Sequence, residues 1–182
     1  MGQYQLAIER TLRSAETVAA FMRTAWGWPA AESVHFLGLT LLFGSILVWD
    51  LRLVGLSKDV PIAAFHRLVP CAVIGFAINA LSGSMFLMTE PDQYLYNPSF
   101  QFKMLFVALA GLNVLVFYLT LFRRVNALAP GAAMPLGARA CGAASLMLWT
   151  AVIICGRLIT FYRPALCRPG RAVGFIADCI IR

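Results

Sequence analysis

The sequence predicts an all-α integral membrane protein, a bundle of four transmembrane helices with an N-terminal amphipathic helix on the membrane interface. Two observations carry that prediction. Of 182 residues, 60% are hydrophobic and 13% charged, too apolar for a soluble domain of this size. The apolar residues also gather into four runs, each long enough to cross a hydrocarbon core of about 30 Å at about 1.5 Å per residue. Backbone groups in lipid must find partners within their own segment, so each run is expected to be a continuous helix. The length fits one domain, divided as an interfacial helix over 1–28, a transmembrane bundle over 29–162, and a tail over 163–182 without strong periodicity.

From Tyr4 to Trp26, Ile8, Leu12, Ala15, Ala19, Met22 and Trp26 recur at three- and four-residue steps, with Glu9, Arg10, Arg13, Glu16 and Arg23 off that stripe. The pattern is that of a helix lying on the membrane surface. Trp26 and Trp28 supply interfacial indoles, and Pro29 suits the first turn of a helix. The first crossing spans Glu32 to Arg52. Between Glu32 and Asp50 its one ionisable side chain is His35. The second crossing is the uncharged stretch Leu68 to Thr89, after a charged connection from Asp50 to Arg67. Glu90 to Phe100 has the proline, asparagine and acid content of a loop. The third crossing is Met104 to Phe122, closed by Arg123 and Arg124, and the fourth is Ala140 to Tyr162, interrupted by Arg157.

Lysine and arginine number three in 50–67, three in 123–139 and one in 90–103. By the positive-inside rule the first and third connections are expected to be cytoplasmic and both termini to lie outside. The net charge of +7 therefore belongs to a lipid bilayer rather than a nucleic-acid partner. The five cysteines form no C-x-x-C pair and are not a disulfide framework. Residues 1–25 carry both charge signs and no compact apolar core, so no cleavable signal peptide is expected.

Depth along each run places Glu32, His35, Met85, Met88, Lys103, Met104, Cys155 and Arg157 at one level near the outer boundary. Ionisable groups inside a span are costly and usually paired or functional, and Glu32 is the expected partner of Arg157. His35 suits an axial haem or metal ligand oriented by Glu32, with Met85 or Met88 as a soft second ligand, and Lys103 and Arg157 would pair with propionates. Haem b and copper both suit this set, with His35, Met85, Met88 and Cys155 as metal donors. The same residues also have a structural reading, in which Lys103 and Arg157 snorkel to the interface and His35 packs against Glu32. His66, near the opposite boundary, reads as interfacial. Asn79, Asn113 and Thr150 form an expected mid-membrane polar layer between helices, and Gly75 with Gly83, and Ala108 with Gly111, offer close-packing surfaces.

Glu32-x-x-His35, Asp50-Leu51-Arg52 with Gly55-Leu56, Pro70 with Gly75-Phe76, Asn97-Pro98 with Phe102-Lys103, Asn113, and Trp149 ahead of Gly156-Arg157 resemble a bacterial family of small four-helix membrane proteins of unknown function. The resemblance covers 29–162 and implies the four-helix fold. In architecture the chain is loosely similar to copper-resistance membrane proteins of the D type and to small b-type cytochromes. No catalytic motif is present, so the sequence leans away from an enzyme. It points to a cofactor-binding or accessory subunit, with haem-linked electron transfer as its expected role, in a homo-oligomer or membrane complex. Copper or small-solute transport and a purely structural subunit are the alternatives.

Overall fold

A computed structural model describes residues 15–161, and every regular element among them is helical. The helices are α1 (Glu16–Met22), α2 (Gly27–Val54), α3 (Ile62–His66), α4 (Val69–Thr89), α5 (Pro91–Leu95), α6 (Pro98–Val116), α7 (Phe122–Asn126) and α8 (Leu136–Leu158), with a π-helical turn at Phe117–Leu121 joining α6 to α7. Four stretches are long and apolar enough to cross a membrane: Gly27–Val54, Ile62–Thr89, Pro98–Asn126 and Leu136–Leu158. Each turns large apolar side chains outward, among them Leu37 at 71% exposure, Leu81 at 70%, Leu119 at 75% and Met147 at 68%. Such a surface needs hydrocarbon rather than water around it, and the protein is a multi-pass membrane protein.

The helix ends follow local chemistry. α2 runs to Val54 because no breaker intervenes before Gly55, whose φ of 120° is closed to ordinary side chains. The Leu56 N–H then donates to the Leu51 carbonyl at 3.0 Å and the Gly55 N–H to that of Arg52 at 3.2 Å, the paired bonds of a Schellman cap. Between α3 and α4 the chain breaks at Arg67 and Leu68. Pro70 has no N–H to return to the His66 carbonyl, so one helix cannot continue unaltered through this point. α6 starts earlier than the expected Met104, because Asn97 caps it and Pro98 occupies its first position. The Ser99 N–H donates to Asn97 Oδ1 at 3.0 Å, while Asn97 Nδ2 donates to the Ile159 carbonyl at 3.0 Å. Asn97 is fully buried. The expected 90–100 loop accordingly contains α5 and the first turn of α6.

Contacts divide the described chain into two units. The first holds 15–36, 79–104 and 152–161. Its core is Met22, Ala31 and Phe86, with Val18, Trp28, Met85 and Tyr94 packed against them. Trp28 lies 5.0 Å from Phe86 between ring centres. The chain enters α2 through a turn so tight that a Cβ on Gly27 would meet the Phe21 carbonyl oxygen. Ala19 and Met22 of the expected amphipathic stripe are buried, whereas Trp26 is 82% exposed; the part of that stripe before residue 15 lies outside the described residues, as does the tail 163–182.

The second unit holds Leu37–Ile78 and Leu105–Ala151. Leu53, Ile62, Phe117, Val125, Met134 and Ala138 form its core. Its helices approach closely at glycines. A Cβ at Gly75 would lie 2.5 Å from the Leu42 nitrogen and 2.8 Å from the Gly38 carbonyl, and one at Gly142 would lie 2.8 Å from Leu53 Cβ. The small surface expected at Ala108 and Gly111 is different: both are exposed, a Cβ on Gly111 would meet nothing within 4 Å, and Ala110 is the buried small residue.

Because the atoms facing Gly75 are backbone, Gly75→Ala should cost about 1 to 3 kcal/mol through forced separation of α2 and α4. Gly111→Ala should leave stability unchanged or slightly raised. Unfolding of both variants in mixed detergent micelles checks this contrast.

Candidate functional site

The first unit brings four stretches together around His35. Its Nδ1 lies 2.8 Å from Ser82 Oγ on α4, and its ring meets Phe86 edge-on at 5.8 Å. Lys103 on α6 is within electrostatic reach of His35 and of the Cys155 thiol on α8. A methyl added at Gly156 would lie 3.7 Å from Lys103 Nζ, in ordinary contact, so the lysine stem rests against the fourth span at Gly156. Gly83 presents a similarly small surface to the imidazole: a Cβ there would sit 3.6 Å from His35 Cε1. The arrangement is an imidazole, a hydroxyl, an ammonium and a thiol on four separate stretches.

Other expected members are placed elsewhere. Glu32 is exposed, and His35 Nδ1 takes Ser82 as its partner rather than Glu32. Tyr94 marks the direction in which Glu32 acts: burial, with the Glu32 and Glu90 carboxylates adding to it, pushes the Tyr94 phenol up to about 12. Arg157 is also exposed. Its Nη1 donates to Thr160 Oγ1 at 3.3 Å, and its guanidinium stands 5.4 Å from the centre of the Phe161 ring, so it ends among its own near neighbours in sequence. Met85 packs with the Met22 core, and Met88 lines a groove with Glu16, Ala19, Ala20, Arg23 and Thr89. Among the described residues no group of three or more His, Cys, Asp or Glu side chains is placed to hold a metal ion.

The polar residues of the mid-membrane layer are also distributed unevenly. Asn113 Nδ2 donates to the Cys141 carbonyl at 3.0 Å, joining α6 to α8. Asn79 offers its backbone carbonyl to Ser82 Oγ at 3.4 Å. Thr150 is exposed on α8.

In the second unit lies a cavity of about 60 Å³, lined by residues that include Asp50, Asn113, Tyr118, Cys141, Ser145 and Trp149. Sequence reasoning assigned Asp50 to a charged connection. The absence of any breaker before Gly55 signals that Asp50 and Arg52 are helical, but not which way they face. Asp50 is 3% exposed. Ser145 donates to its carboxyl, while Oδ2 and the Trp149 Nε1 are buried without a partner. Arg52, equally buried, is directed to the following loop, where its Nε donates to the Val60 carbonyl and its Nη2 to that of Lys58, both at 3.2 Å, while its Nη1 is also buried without a partner. His66 does more than mark an interface: its Nε2 lies 3.1 Å from the Tyr118 hydroxyl, inside an aromatic group with Trp49 and Phe122.

Since Glu32 and Arg157 are both exposed, neutralising either as Glu32→Gln or Arg157→Gln should cost no more than roughly 1 kcal/mol. A buried pair would lose about 3 to 5 kcal/mol. A double-mutant cycle read by thermal unfolding separates the two cases.

Residues 21–162 match the model of a family described as a family of unknown function, DUF6644. No curated protein and no solved structure matches the chain.

Proposed function

The chain belongs to this family of unknown function over most of its length, and we propose that it is a non-enzymatic binding or accessory subunit of the bacterial inner membrane, whose site at His35, Ser82 and Lys103 holds the anionic group of a ligand or cofactor. The observation that carries this reading is the setting of Lys103. Among the described residues, the ionisable groups found to act on it or feel it are an imidazole and a thiol, neither of which is a counter-charge. A cation within a span is costly without an anionic or well-matched polar partner, and a carboxylate or phosphate from a ligand supplies one.

Haem b fits the same chemistry. With Nδ1 beside Ser82 Oγ, His35 would hold the iron through Nε2, its ring oriented from the other nitrogen as in many metal-bound histidines. Lys103 would take a propionate through a charge-assisted hydrogen bond. A bare copper ion fits less well, because the nearby ammonium opposes a second cation. The positive-inside count of three over 50–67 and three over 123–139 supports cytoplasmic placement of those connections and periplasmic termini. The outward apolar face of α6, with Leu112 and Leu115 exposed around an open Gly111, supports docking against a second copy or another membrane subunit.

Haem titration of the protein in nanodiscs tests the reading. A Soret band is expected that His35→Ala abolishes, and Lys103→Met should weaken binding by about 1.5 to 3 kcal/mol, the scale of a hydrogen bond to a charged group. Unchanged affinity for haem and for inorganic phosphate in both variants would overturn the site. Copper uptake by proteoliposomes containing this chain alone would overturn the accessory role.

A further inference from the structure

The second unit contains a polar centre that the binding role does not use. Asp50 and Trp149, 3% and 7% exposed, line the same cavity and each keeps one polar atom without a partner. One is a carboxyl oxygen and the other an indole N–H. A buried polar group left unmatched in a membrane is expensive, and both are matched by an occupant that accepts one hydrogen bond and donates another. A metal ion accepts nothing from an N–H, and an anion is repelled by a carboxylate. Water satisfies both atoms, and the cavity of about 60 Å³ has room for it, since one water needs roughly 10 to 15 Å³ on that measure.

The same cavity is lined by Tyr118, whose hydroxyl lies 3.1 Å from His66 Nε2. His66 ends α3, next to the exposed Arg67 and the charged connection before α3. Tyr118 lies in the π-helical turn Phe117–Leu121. Such turns displace side chains from the regular helical register and recur at functional sites. Among the described residues, the groups beside Asp50 are Cys141 on α8, within electrostatic reach of it, Ser145 on α8, which donates to it, Tyr118, which lines the shared cavity, and Arg52 on its own helix, whose Nε and Nη2 go to the carbonyls of Val60 and Lys58 while its Nη1 is buried without a partner.

We infer that the Asp50 cavity is a hydrated proton-loading site, in which the Asp50 carboxyl exchanges protons with the membrane face at His66 through water and the Tyr118 hydroxyl. In release, the Asp50 O–H gives its proton to the bridging water, the water passes one to the Tyr118 oxygen, and the Tyr118 O–H proton goes to His66 Nε2. The result is a carboxylate at 50 and an imidazolium at 66, with water and tyrosine restored. One proton moves, only O–H and N–H bonds change, and no oxidant or co-reactant is required. Loading is the reverse.

Infrared spectroscopy of the full chain in nanodiscs tests this directly. The wild type should show a protonated-carboxyl band, responsive to pH and to deuterium exchange, that Asp50→Asn removes. After a pH jump that band should relax about 100-fold more slowly in Tyr118→Phe, the lower end of what a positioned proton carrier contributes, and His66→Gln should slow it in the same way. If Asp50→Asn does not fold, Ser145→Ala keeps the carboxyl and removes its donor, and the band should move to higher wavenumber. Loss of no band in a folded Asp50→Asn, an unmoved band in Ser145→Ala, or relaxation at the wild-type rate in Tyr118→Phe each overturns the inference.

Discussion

A polar group surrounded by hydrocarbon must find its partner within the protein, and this requirement explains most of the architecture. The backbone meets it by running as long helices, and two helix ends meet it through specific devices. Gly55 admits the Schellman cap that closes α2, and Asn97 caps α6 while binding the Ile159 carbonyl at the end of α8. Arg52, placed just before a helix end, gives its Nε and Nη2 to the carbonyls of the next loop. The side chains left over after such pairing are then the informative ones. Lys103 faces an imidazole and a thiol, and Asp50, Arg52 and Trp149 each retain one buried atom without a partner.

The four crossings were legible because hydropathy over some twenty residues is a sum, insensitive to the orientation of any one side chain. Their boundaries shifted where a single residue decides. α6 begins at Pro98 because Asn97 caps it, and α8 begins at Leu136, both several residues before the last charge that seemed to bound the run. Lysine and arginine near a span end reach outward along their stems, so a charge marks the interface poorly.

The site was legible in depth but not in rotation. His35, Lys103 and Cys155 were expected at one level, and the structure brings them into one neighbourhood with Ser82, a residue that reads in sequence as ordinary packing. Glu32 and His35, three residues apart, share a helix face only approximately: a step of three falls some 60° short of a full turn, enough to leave Glu32 exposed while His35 turns inward to Ser82. Arg157 illustrates the same limit, since its guanidinium reaches Thr160 and Phe161 instead of crossing to another helix.

Asp50 was hidden for a different reason. An acid followed by arginine two residues later looks like the hydrated edge of a span, and composition cannot distinguish an edge that faces water from one turned into the protein. What decides the matter is the neighbour: Gly142 lets α8 approach so closely that a methyl there would stand 3.0 Å from the Asp50 carbonyl. That approach brings Ser145, one turn further along α8, to the Asp50 carboxyl, and Trp149, one turn beyond that, to the same cavity. The spacing 142, 145, 149 is a helical stripe of one small, one hydroxyl and one indole residue, and in sequence alone it is indistinguishable from a packing seam. Its chemical content depends on the acid it faces, so it becomes readable only when α2 and α8 are seen together.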